Sequence, residues 1–225
     1  EWSARAEKLR DAYILEDPTA RVAAMRSLWD GGSGTQQSYS RKVLTAYAAA
    51  RVPANSDLAG SAEALITSML AAGLDANAMR WAGAVDAGSN SWALLSLAAP
   101  TRSANVSGGD IDTFIDADES EGSRKSAFLV AGLAGLGRIE SGTASGYSSS
   151  LRMGLGSHTR YTQTLESAAR SGDTATVVLL AGFGMQGTNW AQMTPRYLYH
   201  IVSALRTVGF EDEARMIAAE AVART

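Results

Sequence analysis

The feature that most restricts the fold of this chain is a segment that occurs twice between residues 160 and 224. The first copy runs Arg-Tyr-Thr-Gln-Thr-Leu-Glu-Ser-Ala-Ala-Arg, and the second runs Arg-Tyr-Leu-Tyr-His-Ile-Val-Ser-Ala-Leu-Arg. Each copy is followed closely by a glycine, Gly172 or Gly209. A repeat period in the thirties is typical of stacked helical hairpins, because each hairpin buries its apolar face against the next one.

The second copy shows why this unit is expected to be helical. Thr194 can cap a helix and Pro195 suits its first position. Gly209 supplies a left-handed stop, and the acidic residues that follow it suit the start of a second helix. The first helix has one apolar face at helical spacing, formed by Leu198, Ile201, Val202, Leu205 and Val208. The unit is therefore predicted to be a helix, a tight turn and a second helix, packed antiparallel.

A turn of the same kind occurs earlier in the chain. Gly73 is followed by Leu-Asp and then Ala78, as Gly209 is followed by Phe-Glu and then Ala214. This turn, with small residues in the helix after it, resembles tetratricopeptide-like helical-hairpin repeats at the level of pattern. We therefore expect an all-α chain, an α-solenoid of stacked antiparallel helical hairpins with about a dozen helices.

The remaining helices follow from apolar periodicity, caps and Gly or Pro stops. The helix at 37–52 carries an apolar set of Tyr39, Val43, Leu44, Tyr47 and Ala50. The chain is predicted to consist of N-terminal helical hairpins at 1–100, a loop and acidic segment at 101–122, and C-terminal helical hairpins at 123–225. The loop covers residues 101–109. The alternative is that all three parts form one continuous domain. Helices are predicted at 3–14, 17–29, 37–52, 61–72, 76–87, 91–99, 123–136, 147–152, 157–170, 173–182 and 195–208.

Composition excludes several classes of function. The chain has no Cys, so disulfides, thiolate metal sites and Cys nucleophiles are ruled out. The net charge of -3 gives no reason to expect nucleic acid as a partner. No apolar run reaches the ~18 residues of a membrane span, so we expect no membrane insertion. Arg outnumbers Lys, which indicates a GC-rich, bacterial genome, and the start at Glu1 indicates a trimmed or processed chain; the compartment stays unknown.

The acidic segment at 110–121 has two interpretations. It could hold a cation through Asp112, Asp116, Asp118 and Glu119, which would suit an all-α enzyme or a metal-dependent domain. The calcium-loop pattern fails, because its sixth position is Glu121 and its twelfth is Ala127. We favour a solvated helix that turns Ile111, Phe114 and Ile115 to the core.

The segment at 174–187 resembles a strand followed by the glycines of a dinucleotide-binding turn, Gly182, Gly184 and Gly187. No acidic residue follows at the distance that a ribose contact requires, and no other β-α-β unit occurs in the chain. By its position in the repeat, this segment is predicted to be the buried second helix of a hairpin and a loop.

No catalytic constellation stands out. The two histidines, His158 and His200, lack the HExxH spacing of a zinc enzyme, and no G-x-S-x-G motif occurs. We therefore expect no catalytic residues, no cofactor and no metal.

The expected function is protein-protein interaction, as a scaffold or adaptor domain of a larger bacterial protein. On the helix after Pro195, a polar stripe that includes Arg196 and His200 is expected to face away from the core. Paired arginines and tyrosines suit an acidic or extended peptide of a partner protein. The predicted partner-binding residues are Arg160, Tyr161, Arg196, Tyr197 and His200.

Overall fold

A computed structural model of the chain describes residues 2–31, 35–100, 106–187 and 190–225. The described residues contain thirteen α-helices and no strand, with 74% of the chain helical, which confirms the all-α prediction. None of the described helices is long and apolar enough to cross a membrane. Residues 101–105, which belong to the predicted loop at 101–109, lie outside the described residues.

The chain divides into two compact units. Unit 1 consists of Glu1–Asp86 with Asn90–Leu95, and unit 2 consists of Ala87–Ser89 with Ser96–Thr225. The helices of unit 1 are α1 (Trp2–Ile14), α2 (Pro18–Asp30), α3 (Thr35–Ala49), α4 (Ala62–Leu70) and α5 (Asp75–Ala78), and α6 (Asn90–Ala98) crosses the division. The helices of unit 2 are α7 (Gly108–Asp116), α8 (Arg124–Gly135), α9 (Ser141–Ser150), α10 (Arg160–Arg170), α11 (Thr174–Gly184), α12 (Pro195–Thr207) and α13 (Glu211–Ala223). The domain limits expected from the sequence, 1–100, 101–122 and 123–225, remain predictions.

In unit 1, helices that follow each other in the chain pack together, α1 with α2, α2 with α3, and α3 with α4. The helix predicted at 37–52 corresponds to α3, and the side of α3 that faces the core is not the side with its largest apolar residues. Leu44 and Tyr47 are 60% and 65% exposed, whereas Thr45 is buried and accepts a hydrogen bond from the Trp29 indole at 2.9 Å. Small residues line the inner face of α3, so that α2 and α4 can approach it closely; they are Ala46, Ala48 and Ala49.

The helix predicted at 76–87 is much shorter in the structure. α5 ends at Ala78 and continues as a 3-10 helix, Met79–Ala84. Trp81 is fully buried within this 3-10 helix. Gly83 lowers the preference for an α-helix here, and Val85 is already extended.

The core of unit 2 forms where α8 packs against α12 and α13. A Cβ atom at Gly132 would lie 3.0 Å from the Ala218 side chain, and one at Gly135 would lie 3.0 Å from the Tyr199 carbonyl oxygen. Both glycines therefore allow close approach of the neighbouring helices. Gly137 follows α8 with a φ of 65°, which is a left-handed stop. The largest fully buried side chains here include Phe128, Leu129, Leu133 and Leu136.

The two copies of the repeated segment are α10 and α12, and each is followed by a short turn and a second helix. Gly172 and Gly209 have φ values of 71° and 94°, so both are left-handed stops. Thr159 and Thr194 cap the first helices by accepting backbone N–H groups. The segment at 174–184 is the helix α11, which confirms the predicted helix and excludes the strand of a dinucleotide-binding turn, but only Val177 and Ala181 of this helix are buried.

Candidate functional site

The tyrosines of the repeat meet in the structure. Tyr161 and Tyr197 stand near the N-terminal ends of α10 and α12, with ring centroids 5.4 Å apart in an edge-to-face arrangement. The Tyr161 hydroxyl donates a hydrogen bond to the Leu180 carbonyl oxygen of α11 at 2.8 Å, and Gly184 leaves room for it. Burial and the neighbouring Tyr197 raise the pKa of Tyr161 to about 12. This pair therefore joins α10, α11 and α12.

The arginines of the repeat lie beside this tyrosine pair. The Arg196 guanidinium carbon lies 5.5 Å from the centroid of the Tyr197 ring, within the range of a cation-π contact. Arg160 is exposed at the first residue of α10. The structure thus brings Tyr161, Arg196 and Tyr197 together, and their predicted role in binding a partner stays a prediction.

His200 is not on an exposed stripe, so its predicted orientation is wrong. Its side chain is only 1% exposed, because α12 packs against α10 as well as against α8. The prediction assumed that α12 buries one face only, formed by its large apolar residues. A helix with neighbours on several sides also buries polar positions, and His200 occupies one of them.

His200 belongs instead to a cluster with His158 and Glu166. Its Nδ1 lies 2.7 Å from Glu166 Oε1, and His158 Nδ1 lies 3.5 Å from Glu166 Oε2. One potential ligand atom from each residue lies within 4.8 Å of the other two. His158 precedes α10 in the chain, Glu166 lies on α10 and His200 on α12, so the cluster joins three segments of unit 2.

The environment of His200 favours its neutral form. Burial lowers its pKa, while the Glu166 carboxylate and the Ser157 backbone carbonyl act in the opposite direction. Neither ring nitrogen makes a hydrogen bond of acceptable geometry with any residue that the structure describes, although Glu166 is close to Nδ1. His158 and Glu166 are 44% and 28% exposed, so the cluster opens to solvent on their side.

The acidic segment does not form a comparable cluster. Asp118 accepts hydrogen bonds from the Ser120 and Ser126 backbones and from the Ser126 hydroxyl, which lowers its pKa against the effect of burial. Asp112 accepts a hydrogen bond from Tyr147 at 2.7 Å. Among the described residues, the only group of three or more His, Asp or Glu with suitable spacing for a metal is that of His158, Glu166 and His200. Of the other residues named for a cation, Asp116 and Glu119 are exposed. Ile111 and Phe114 are buried as predicted, whereas Ile115 is half-buried.

The structure also reveals an exposed apolar face on α11, which we call the α11 face. Leu179 and Phe183 are 73% and 61% exposed, and Val178 is 45% exposed. Ala175 and Gly182 are exposed on the same side, so the spacing is i, i+3, i+4, i+7 and i+8. The sequence prediction missed this face because it assigned the whole apolar run to a buried helix, although only Val177 and Ala181 of α11 are buried.

A cavity of about 470 Å³ adjoins the tyrosine pair within unit 2. Tyr197 and Trp190 contribute aromatic surface, and Glu220 and Arg224 form an ion pair at 2.5 Å among its lining residues. Its size is in the range of pockets that hold a small molecule or a side chain. The polar and apolar lining indicates no particular ligand.

Comparison of the chain with protein-family models, with curated protein sequences and with solved structures finds no match. The resemblance to tetratricopeptide-like hairpins therefore rests on the sequence pattern alone. The candidate surfaces for function are the α11 face, the tyrosine pair with its arginines, and the cluster around Glu166.

Proposed function

We propose that the chain is a non-enzymatic protein-protein interaction or scaffold domain of a hairpin-solenoid type, and that the α11 face binds an amphipathic helix of a partner protein. The observation that carries this proposal is the exposure of Val178, Leu179 and Phe183 on one side of one helix. Contiguous exposed apolar side chains are characteristic of interaction sites, because water contact with them is unfavourable until a partner covers them.

The shape of the α11 face favours a helix as the bound element. From Ala175 to Phe183 it extends about 12 Å at the helical rise per residue, which is a little over two helical turns. Ala175 and Gly182 are small and border the large side chains of Leu179 and Phe183, so a second helix could approach closely. Amphipathic helices bind to such surfaces through apolar residues spaced at i, i+3, i+4 and i+7.

The arginines of the repeat suit acidic residues beside the apolar side of that partner helix. The contact between Tyr161 and the Leu180 carbonyl puts Arg160 at the end of the hairpin that also contains Phe183. An Arg guanidinium binds a carboxylate through paired, charge-assisted hydrogen bonds. In this proposal Arg160 and Arg196 bind acidic residues, while Tyr161 and Tyr197 hold the helices in place and His200 does not touch the partner.

A selection experiment with the full chain tests the proposal. Helical peptides are selected from a display library, and their Kd values are measured by fluorescence anisotropy with wild type and with Leu179→Ser plus Phe183→Ser. We expect selected peptides to carry apolar residues at helical spacing and to bind the variant at least about tenfold more weakly, since two apolar contacts are lost. Arg160→Ala plus Arg196→Ala should weaken binding of acidic peptides more than of neutral ones.

The matched control is Leu44→Ser plus Tyr47→Ser, which changes two equally exposed apolar residues on α3. Peptides that bind wild type and the α11 variant equally, or that lose binding only in the α3 variant, contradict the proposal. A homodimer of the wild-type chain that Phe183→Ser dissociates would show instead that the α11 face binds a second copy.

A further inference from the structure

We propose that His158, Glu166 and His200 bind a zinc ion, at a site distinct from the α11 face and independent of the proposed function. Two imidazoles and one carboxylate are a donor set that zinc takes in proteins. The chain has only two histidines, and the structure places both of them against the same glutamate.

The spacing of the donor atoms fits a small metal ion. Zinc ligands lie about 2.0–2.2 Å from the metal, so two tetrahedral ligands are about 3.3 Å from each other. His200 Nδ1 lies 2.7 Å from Glu166 Oε1 and His158 Nδ1 lies 3.5 Å from Glu166 Oε2, so each imidazole faces a different oxygen of the same carboxylate at about the spacing of two ligands. All three donors lie within 4.8 Å of one another, so small side-chain rotations suffice to surround one ion.

The position of the His200 ring also fits a ligand. Both of its ring nitrogens are buried, and Nδ1 faces the Glu166 carboxylate at 2.7 Å. A metal ion bound between this nitrogen and the carboxylate would give both of them a partner.

The charges around the cluster leave a path for the ion. Arg170 Nη1 lies 3.7 Å from Glu166 Oε2 and competes with a cation for that oxygen. The Arg170 side chain is 70% exposed, so it can turn away into solvent at little cost. The exposed edge of His158 provides the entrance, and three protein ligands leave a fourth position for water.

A bound ion would link the chain before α10 to α10 and α12. These two helices are the first helices of successive hairpins, so zinc would fix one hairpin against the next. The sequence gives no local signal for this link, because its ligands are separated by eight and by 34 residues.

Calorimetric titration of the chelator-treated full chain with zinc chloride tests the proposal. We expect one saturable site, a Tm that rises with zinc until saturation, and shifts of the His158 and His200 ring-nitrogen NMR signals. His158→Gln and Glu166→Gln should each weaken zinc binding at least about tenfold, as expected for loss of one of three ligands. His158 is partly exposed, so His158→Gln is expected to keep the fold.

Asp116→Asn is the matched control, because it removes an exposed carboxylate of the acidic segment and should leave zinc binding unchanged. The proposal is overturned if zinc does not bind saturably, or if His158→Gln and Glu166→Gln bind it as wild type does. It is also overturned if Asp116→Asn abolishes binding, which would assign the ion to the acidic segment. None of these outcomes depends on the peptide experiment, so the two proposals can fail separately.

Discussion

The hairpins α10–α11 and α12–α13 begin and end alike, but their second helices have different surroundings. Each first helix starts after a capping threonine and ends before a left-handed glycine. α13 packs against α8 and α12 and buries its alanines, of which Ala214, Ala218 and Ala221 are fully enclosed. α11 packs against α10 and α12 and leaves Leu179 and Phe183 exposed.

The difference shows that the hairpin pattern specifies a fold but not a surface. The side chains of α13 are small where α8 approaches, and the close contact between Gly132 and Ala218 depends on that. α11 instead carries large apolar residues on its outer side, where no described helix covers them. In the proposed function, the large apolar residues on the uncovered side of α11 form an interaction surface, whereas the small residues on the covered side of α13 belong to the core.

The largest expected effect is the difference in stability between two single variants, one with a glutamate on α13 and one with a glutamate on α11. Ala218→Glu should destabilise the protein by about 3 kcal/mol or more, because an unpaired carboxylate would be buried in a space that barely holds a methyl group. Leu179→Glu should change the free energy of unfolding by less than about 0.5 kcal/mol, because the side chain stays in solvent. Chemical denaturation of both variants measures the contrast.

Equal losses in the two variants would contradict the comparison, since they would mean that α11 is as enclosed as α13. Ala175→Glu is a further control on α11, because it replaces an exposed alanine and so matches Ala218 in size. It should behave like Leu179→Glu.

The second prediction concerns the turns that the hairpins share. Gly172→Val and Gly209→Val should each destabilise by about 1 kcal/mol or more, because a β-branched residue is strained at positive φ. Gly182→Ala should have the opposite sign and stabilise by up to ~1 kcal/mol, because Gly182 is helical and a Cβ there meets nothing within 4 Å. Thermal melts should show a lower Tm for the two valine variants and a higher Tm for Gly182→Ala. An unchanged Tm for both valine variants would contradict the left-handed stops.

The third prediction separates the two tyrosines of the repeat. Tyr161→Phe should cost about 1 kcal/mol, because it removes the hydrogen bond to the Leu180 carbonyl. Tyr197→Phe should cost much less, since its hydroxyl makes no hydrogen bond with the described part of the chain. Urea denaturation of the two variants measures the difference.

The pH dependence of the same pair is an independent check. The folded-state pKa of Tyr161, about 12, lies above the ordinary value of 10.0, so its contribution is complete below pH 10 and is lost as pH rises towards 12. Wild type should therefore lose more stability than Tyr161→Phe between pH 10 and 12. If wild type and Tyr161→Phe lose the same stability between pH 10 and 12, the folded-state pKa of Tyr161 is not raised by burial of its hydroxyl.

Much of the backbone could be predicted from local chemistry. The Thr-Pro start of α12, its buried Leu198 and Ile201, and the stop at Gly209 all follow from neighbouring residues, and the structure has each of them. These features depend on interactions within a few residues or on simple apolar periodicity.

What the sequence did not predict is which neighbour covers each helix face. Leu44 and Tyr47 belong to the largest apolar residues of α3, yet both are exposed, and α2 and α4 pack on the small residues of this helix instead. The cluster of His158, Glu166 and His200 depends on the distance between two successive hairpins, which no local spacing encodes. One signal was available, since the chain has only two histidines, and His158 lies just before the first copy of the repeated segment while His200 lies within the second copy.

The smallest expected effect is a change in the pH dependence of stability, and it concerns His200, which is buried in α12. His200 of α12 corresponds to Thr164 of α10 in the repeat. Burial lowers the folded-state pKa of His200 below its ordinary value of 6.5, so its contribution to stability is complete above pH 6.5 and is lost as pH falls towards the lowered pKa. Between pH 7 and pH 5 without metal, wild type should therefore lose more stability than His200→Thr. Glu166, the Ser157 carbonyl and His158 also face the ring and remain in both proteins, so the difference between the two pH profiles reports on His200 and on its interaction with these groups. Parallel profiles from urea denaturation would show that burial does not lower the pKa of His200 in the folded protein.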